Sequence, residues 1–152
     1  MDMSDLLQAG SVVTDLRAST KKQLLQGLSQ RAAALTGFEE AQILATLTLR
    51  EKRGATGFGL GTAIPHGKIA GLPQVTGLFA RLSHPIDYGA VDNQPVDLVF
   101  LLLAPEAAGA DHLKALARVS RLFRDSLLVS KLRGSTSADA LYAMLATGDG
   151  AA

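Results

Sequence analysis

The chain is expected to be a mixed α/β protein, and three observations carry that expectation. Two stretches in its first third repeat apolar residues at helical spacing, residues 96–104 are apolar at nearly every position, and glycine and proline punctuate the middle. A helical period needs a surface to lie on, and a short run apolar on both alternations describes a strand covered on both sides. Helices packed on a buried sheet satisfy both demands. At 152 residues the chain fits one domain with an adequate core, whereas two domains would both be cramped. No internal repeat or long linker divides it.

The elements follow in order. Thr20 with Gln23 three residues later is a capping-box pattern, and it opens a helix carrying Leu24, Leu25, Leu28, Ala32 and Leu35 on one face. Gly37 ends it. Glu39 and Glu40 suit the positive end of a second helix with the stripe Ile43, Leu44 and Leu47, which should stop before Gly54. A glycine loop containing His66 comes next, then a strand over residues 75–82 and a turn-rich stretch over 83–95. The apolar run at 96–104, closed by Pro105, is the buried strand. Asp111 is placed to cap a helix running to about Phe123, and Ser137 starts a last helix ending near Ala146. Residues 147–152 have nothing to pack and are expected to be a mobile tail.

Composition narrows the function classes. Hydrophobic residues make up 47% and charged residues 19%, as in a globular protein. There is no cysteine, hence no disulfide framework, thiolate chemistry or Cys-based zinc site. The longest strongly apolar run, residues 98–104, is too short to span a bilayer, and the acidic start Met1-Asp2-Met3-Ser4-Asp5 is unlike a secretory signal. A cytoplasmic protein without membrane insertion is the expectation. Net charge is +1, and Arg118, Arg121 and Arg124 make only a loose basic stripe with no interleaved aromatics. That describes a solvated helix face, so no nucleic-acid partner is expected.

The most informative segment is Gly57-Phe58-Gly59-Leu60-Gly61-Thr62-Ala63-Ile64-Pro65-His66-Gly67-Lys68. Proline fixes its own φ and lacks a donor, while glycine accepts backbone shapes closed to other residues. Together they present His66 on a backbone that another molecule can approach. A ring so presented, titrating near neutrality, suits a proton shuttle, a metal ligand or a covalent phosphoryl acceptor. Arg50 falls on the buried stripe of its helix, three residues after Leu47 and seven after Ile43. Either it snorkels, or it meets an anion beside His66. His112 lies near the edge of its helix's apolar face, at an N-terminus that disfavours positive charge, and reads as a structural or a site histidine. His84, before Pro85, reads as solvated.

Other chemistries fit less well. The three glycines mimic part of a dinucleotide fingerprint, but Pro65 breaks the strand-to-helix context that the fingerprint requires. No Gly-Lys-Ser or Gly-Lys-Thr closes a nucleotide phosphate loop, and no nucleophile elbow exists for a hydrolase triad. Two distant histidines without a convincing acidic partner make a weak metal site. A phosphoryl acceptor needs little beyond a presented ring and charge stabilisation at the equatorial oxygens, which Arg50, His112 and backbone N–H groups around Gly61 could supply.

Gly61-Thr62-Ala63-Ile64-Pro65-His66-Gly67-Lys68 resembles the active-site segment of enzyme IIA proteins of the fructose/mannitol class in the bacterial phosphotransferase system. Arg50-Glu51-Lys52 ahead of the Thr56-Gly57-Phe58-Gly59 loop is similar to the family's pre-site segment, and Asp92-Asn93-Gln94-Pro95-Val96-Asp97-Leu98 and Asp111-His112-Leu113 to its later signatures. The likeness covers almost the whole chain. Ending soon after the last helix with no fused transporter segment, the chain is most similar to the nitrogen-regulatory branch. Thr62 departs from the aliphatic residue usual there.

The resemblance implies a mixed parallel/antiparallel central sheet flanked by helices on both sides. It implies a phosphoryl group carried on His66 at Nε2, with Arg50 and His112 beside the ring and a site loop including Thr56, Gly61, Thr62, Pro65 and Gly67. The donor would be an HPr-like phosphocarrier protein, so neither ATP nor another cofactor is called for. Phe58, Leu60 and Ile64 are candidates for an apolar docking rim or for core packing. Three roles stand: a regulator whose phosphorylation state sets what it binds, with potassium transporters and sensor kinases among family targets; a sugar-transport subunit feeding an enzyme IIB; and a histidine metal-binding module.

Overall fold

The computed structural model describes residues 2–150. Six strands form one mixed sheet in the order β1-β5-β6-β3-β2, with β4 also pairing β6. The strands are β1 (Val12–Leu16), β2 (Gly57–Gly59), β3 (Thr62–Ala63), β4 (His66–Ile69), β5 (Thr76–Ile86) and β6 (Val96–Pro105). The helices are α1 (Met3–Leu6), α2 (Lys21–Thr36), α3 (Glu40–Lys52), α4 (Gly109–Arg124), α5 (Ser126–Arg133) and α6 (Ala138–Gly150).

β6 organises the molecule. Residues 98–104 of this strand are all buried, as a strand covered on both faces requires. Its side chains divide with period two: Val99, Leu101 and Leu103 join a core with α2 and α3, while Leu98, Phe100, Leu102 and Ala104 join a second core with α4, α5 and α6. The helices therefore lie on both sides of a single sheet, as expected.

Along one edge of β6 runs the antiparallel β5, which pairs Phe79 with Phe100, and beyond it the parallel β1. Along the other edge β3 and β4 follow one another, both parallel to β6: Thr62 pairs with Leu98 and Ala63 with Val99, then His66 with Leu102. Ile64 and Pro65 bridge the two strands, and the Pro65 carbonyl accepts from Leu102 N–H at 3.0 Å.

α2 forms as its capping signal predicts. Thr20 Oγ1 accepts from Gln23 N–H at 3.1 Å, and Gly37 takes φ +80° at the other end. Elsewhere the boundaries move. The segment expected as a glycine loop is a hairpin (β2–β3) followed by β4, so His66 opens a strand. β5 runs four residues past Leu82, through His84 and Pro85, because β6 continues to pair it: Ile86 lies opposite Val96. α4 starts at Gly109 after Ala108, leaving Asp111 in its first turn and not at the cap. α6 runs to Gly150, past the expected end near Ala146; residues 151–152 of the expected tail lie outside the described residues. β1 and α5 had no sequence expectation.

Candidate functional site

Three elements converge on one concavity of about 500 Å³: the C-terminal turn of α3, the start of β4 and the first turns of α4. Its lining includes Thr46, Leu49, Arg50, Arg53, His66, Gly67, Lys68 and His112. A larger hollow of about 690 Å³ lies between Ser4, Pro73 and Asp111, but no histidine lines it. Chemistry, not size, distinguishes the first.

His66 is held at both ring nitrogens. Nδ1 lies 2.7 Å from the Ile64 carbonyl oxygen, and only a protonated nitrogen can make that bond. Nε2 is then the unprotonated nitrogen, and Arg50 Nε donates to it at 3.3 Å. Arg50 is anchored further by Nη1 donating to the Gly54 carbonyl at 3.0 Å. The sequence left Arg50 between snorkelling and a site role. The structure places it half-buried against His66.

His112 is the second ring. It is buried, with its centroid 5.7 Å from that of His66 and the two planes at 69°. Its Nε2 is buried and has no hydrogen-bond partner among the described residues. A buried polar atom without a partner is uncommon and asks for an explanation, which a ligand in the concavity would supply.

Burial and nearby charges favour the neutral form of both rings. Burial lowers the His66 pKa from the ordinary 6.5, against the raising effect of the Ile64 bond; the Arg50 charge lowers it further and Glu51 opposes that. Burial is also the main reason that His112 is lowered, followed by His66 and Lys68. A neutral imidazole has the lone pair that a nucleophile needs.

The other expected site residues divide. Pro65 and Gly67 flank the ring, and Gly67 has a packing reason as well: a Cβ there would lie 2.5 Å from Thr46 Cγ2 of α3. Gly61 and Thr62 sit about 13 Å further along β6, four residues of strand away. Gly61 has φ +76°, and an added Cβ would meet Arg133 Nη2 at 2.5 Å; Thr62 is buried with Oγ1 donating to the Gly59 carbonyl at 2.6 Å. Its hydroxyl thus has a local partner, which explains how it stands in for an aliphatic residue. Thr56 lies behind the site, bonded to Glu51 and Tyr88.

Of the three rim candidates, Ile64 is in the core and Phe58 is half-buried near Phe123, while Leu60 is exposed but shares a different hollow with Arg133. The exposed apolar side chain lining the His66 concavity is instead Leu49, 66% exposed, and Leu113, next to His112 in the chain, is 69% exposed. Sequence reasoning passed over Leu49, Arg53 and Lys68. Lys68 shares a face with His66 only because residues i and i+2 of a strand do so, and the segment reads as a loop in the sequence. Leu49 stands off the stripe formed by Ile43 and Leu47, a legible mark. The Lys21–Glu51 ion pair behind the site, at 2.7 Å, joins elements 30 residues apart and left no local pattern. Among the described residues no group of three or more His, Asp or Glu is placed to hold a metal ion.

Residues 5–148 match the family described as "Phosphoenolpyruvate-dependent sugar phosphotransferase system, EIIA 2", and the chain belongs to that family. It is thereby a phosphotransferase-system component of phosphocarrier or regulatory type. Within the family it is 53% identical to a nitrogen regulatory protein of Bradyrhizobium diazoefficiens over 146 residues, 96% of this chain and 95% of that relative. The crystal structure of nitrogen regulatory protein IIA-Ntr from Neisseria meningitidis matches with TM-score 0.89 at 34% identity, covering 94% of this chain and 98% of that one. A complex of enzyme IIAMTL and phosphorylated enzyme IIBMTL from Escherichia coli contains the same fold, with TM-score 0.78 at 19% identity over 93% of this chain and 97% of that one.

Proposed function

We propose that the protein accepts a phosphoryl group on His66 Nε2 from the phosphohistidine of an HPr-like carrier, and that it acts mainly as a nitrogen- or potassium-related regulator. The observation that carries this is the ring's fixed tautomer: with Nδ1–H on the Ile64 carbonyl, the Nε2 lone pair faces a concavity lined by Arg50 and His112. The step balances simply. The Nε2 lone pair forms a bond to phosphorus as the carrier's nitrogen–phosphorus bond breaks, and that electron pair returns to the carrier's imidazole. The Ile64 carbonyl accepts from Nδ1–H throughout and stabilises positive charge on the ring. Arg50, now donating to Nε2, transfers its N–H groups to the equatorial oxygens, and His112 Nε2–H donates to another. Thr56, Gly61 and Thr62 act as framework, while Pro65 and Gly67 present the ring. Leu49 and Leu113 give the carrier an apolar landing surface, with Arg53 and Lys68 adding positive charge.

Phosphorylation brings nearly two negative charges to this surface at neutral pH, enough to change which protein binds there. A potassium transporter or a sensor kinase is the class of target expected, and the relatives named nitrogen regulatory protein support a regulatory role. The reading places the protein in the cytoplasm, with its carrier; among the described residues no helix is long and apolar enough to cross a membrane. The second reading, a sugar-transport subunit, is favoured by the shared fold of an enzyme IIA solved with its phosphorylated IIB.

Incubation with phosphoenolpyruvate, enzyme I and an HPr-type carrier should add one acid-labile phosphoryl group by intact mass, absent in His66→Ala. Arg50→Ala should slow the gain by roughly a hundredfold, the usual loss of one charge-stabilising donor. No gain with any of several carriers would overturn the phosphocarrier reading. Rapid onward transfer to an enzyme IIB would move the role from regulation to transport.

A further inference from the structure

We propose that Glu51 is a positioning residue for His66, acting on the ring through Thr56 and Ile64. The inference deepens the phosphoacceptor reading and rests on it. The Glu51 side chain is only 6% exposed, and every bond that it makes leads toward the site or secures the carboxylate. Lys21 Nζ at the start of α2 lies 2.7 Å from Oε1, and the same oxygen accepts Thr56 N–H at 3.1 Å. Oε2 accepts the Thr56 hydroxyl. That hydroxyl has one proton, so the Tyr88 OH, 2.9 Å away, donates to Thr56 Oγ1. Glu51 thus fixes Thr56 by backbone and side chain together.

Thr56 passes the constraint on. Its carbonyl accepts Ile64 N–H at 3.0 Å, and the Ile64 carbonyl accepts His66 Nδ1–H at 2.7 Å. Between Ile64 and His66 stands Pro65, whose φ is fixed by its ring. Little slack remains between the Glu51 carboxylate and the carbonyl that selects the His66 tautomer. An ion pair serving only to staple α2 to α3 would need neither bond to Thr56. The arrangement parallels a hydrolase triad, in which a buried carboxylate orients a histidine, except that here a backbone carbonyl makes the last contact.

The experiment reads the His66 tautomer directly, by ring nitrogen NMR of the unphosphorylated full chain, alongside the rate of phosphorylation from the carrier. The wild type should show Nδ1–H and a bare Nε2. Glu51→Ala should populate the Nε2–H form and slow phosphorylation by about tenfold or more, since a small misplacement of a reacting group has that scale of effect. Glu51→Gln, which keeps an acceptor for Thr56, should restore much of both. Thr56→Val should show a weaker shift in the same direction. Should Glu51→Ala not fold, Thr56→Val carries the test: a wild-type tautomer ratio in that variant would overturn the proposal, as would an unchanged ratio in a folded Glu51→Ala. Failure of the phosphoacceptor reading would look different, since the wild type itself would take up no phosphoryl group, whatever its tautomer.

Discussion

At His66 burial, joined by the Arg50 cation on Nε2, opposes protonation of the second nitrogen and outweighs the Ile64 carbonyl on Nδ1, which favours it. Both His66 and His112 have pKa values lowered from 6.5 in the folded protein, so the unfolded chain binds protons more readily at these positions. Well above pH 6.5 both states are neutral there and folding is indifferent to pH. As pH falls below that value the unfolded state is protonated first and stability declines, until the folded rings titrate too. Unfolding in urea from about pH 7.5 to about pH 5 should show this decline, and a His66→Ala, His112→Ala double variant should flatten it. His66 itself was plain in the sequence, because its Pro and Gly neighbours are a local signal. The meaning of Arg50 was not, since whether a helix-end arginine snorkels or binds depends on what stands opposite.

The elements differ in how much of their cause is local. α2 announced itself through Thr20, Gln23 and Gly37, each acting within one turn of the chain. β2, β3 and β4 contain at most four residues each and exist because the edge of β6 and the β2–β3 pairing supply their partners. Strands so short and glycine-rich have no period to read, which is why they looked like a loop. β1 is similarly short, and the eight-residue α5 follows α4 after a single capping residue, Asp125, so the two blurred together in sequence. Gly67 shows how closely α3 and β4 approach. Gly67→Ala would put a methyl group 2.5 Å from Thr46 Cγ2 and press the helix bearing Arg50 away from the strand bearing His66. A loss of about 1–3 kcal/mol is expected from such overpacking, read as a lower denaturation midpoint, together with slower phosphorylation.

Taken whole, the molecule places its stability and its chemistry in different layers. β6 sits between two apolar cores, and Phe100, fully buried, meets Phe79 edge-on with centroids 6.3 Å apart. Phe100→Ala should cost about 3–5 kcal/mol and, by loosening the strand on which β4 registers, slow phosphorylation as well. His66→Ala, by contrast, should abolish phosphorylation with little loss of stability near neutral pH, because its ring packs no core. Denaturant midpoints measured beside mass-detected phosphorylation would separate the two classes. The two-sided burial of β6 was legible, since it shows as an unbroken apolar run. Which strands would line its edges was not.

By itself the sequence determined the α/β class, the central buried strand, the capped helix α2 and the histidine proposed as the phosphoryl acceptor, because each of those depends on residues close together in the chain. Only the tertiary structure supplied the Ile64 carbonyl that leaves Nε2 unprotonated, the Arg50 donor to that nitrogen, the close ring contact of His112, and the inward packing of Ile64 beside an exposed Leu49. The physical reason is distance along the chain. Arg50, His66 and His112 meet only when β4 takes its register on β6 and the two helices close over that edge, and no local pattern records a contact made across such separations.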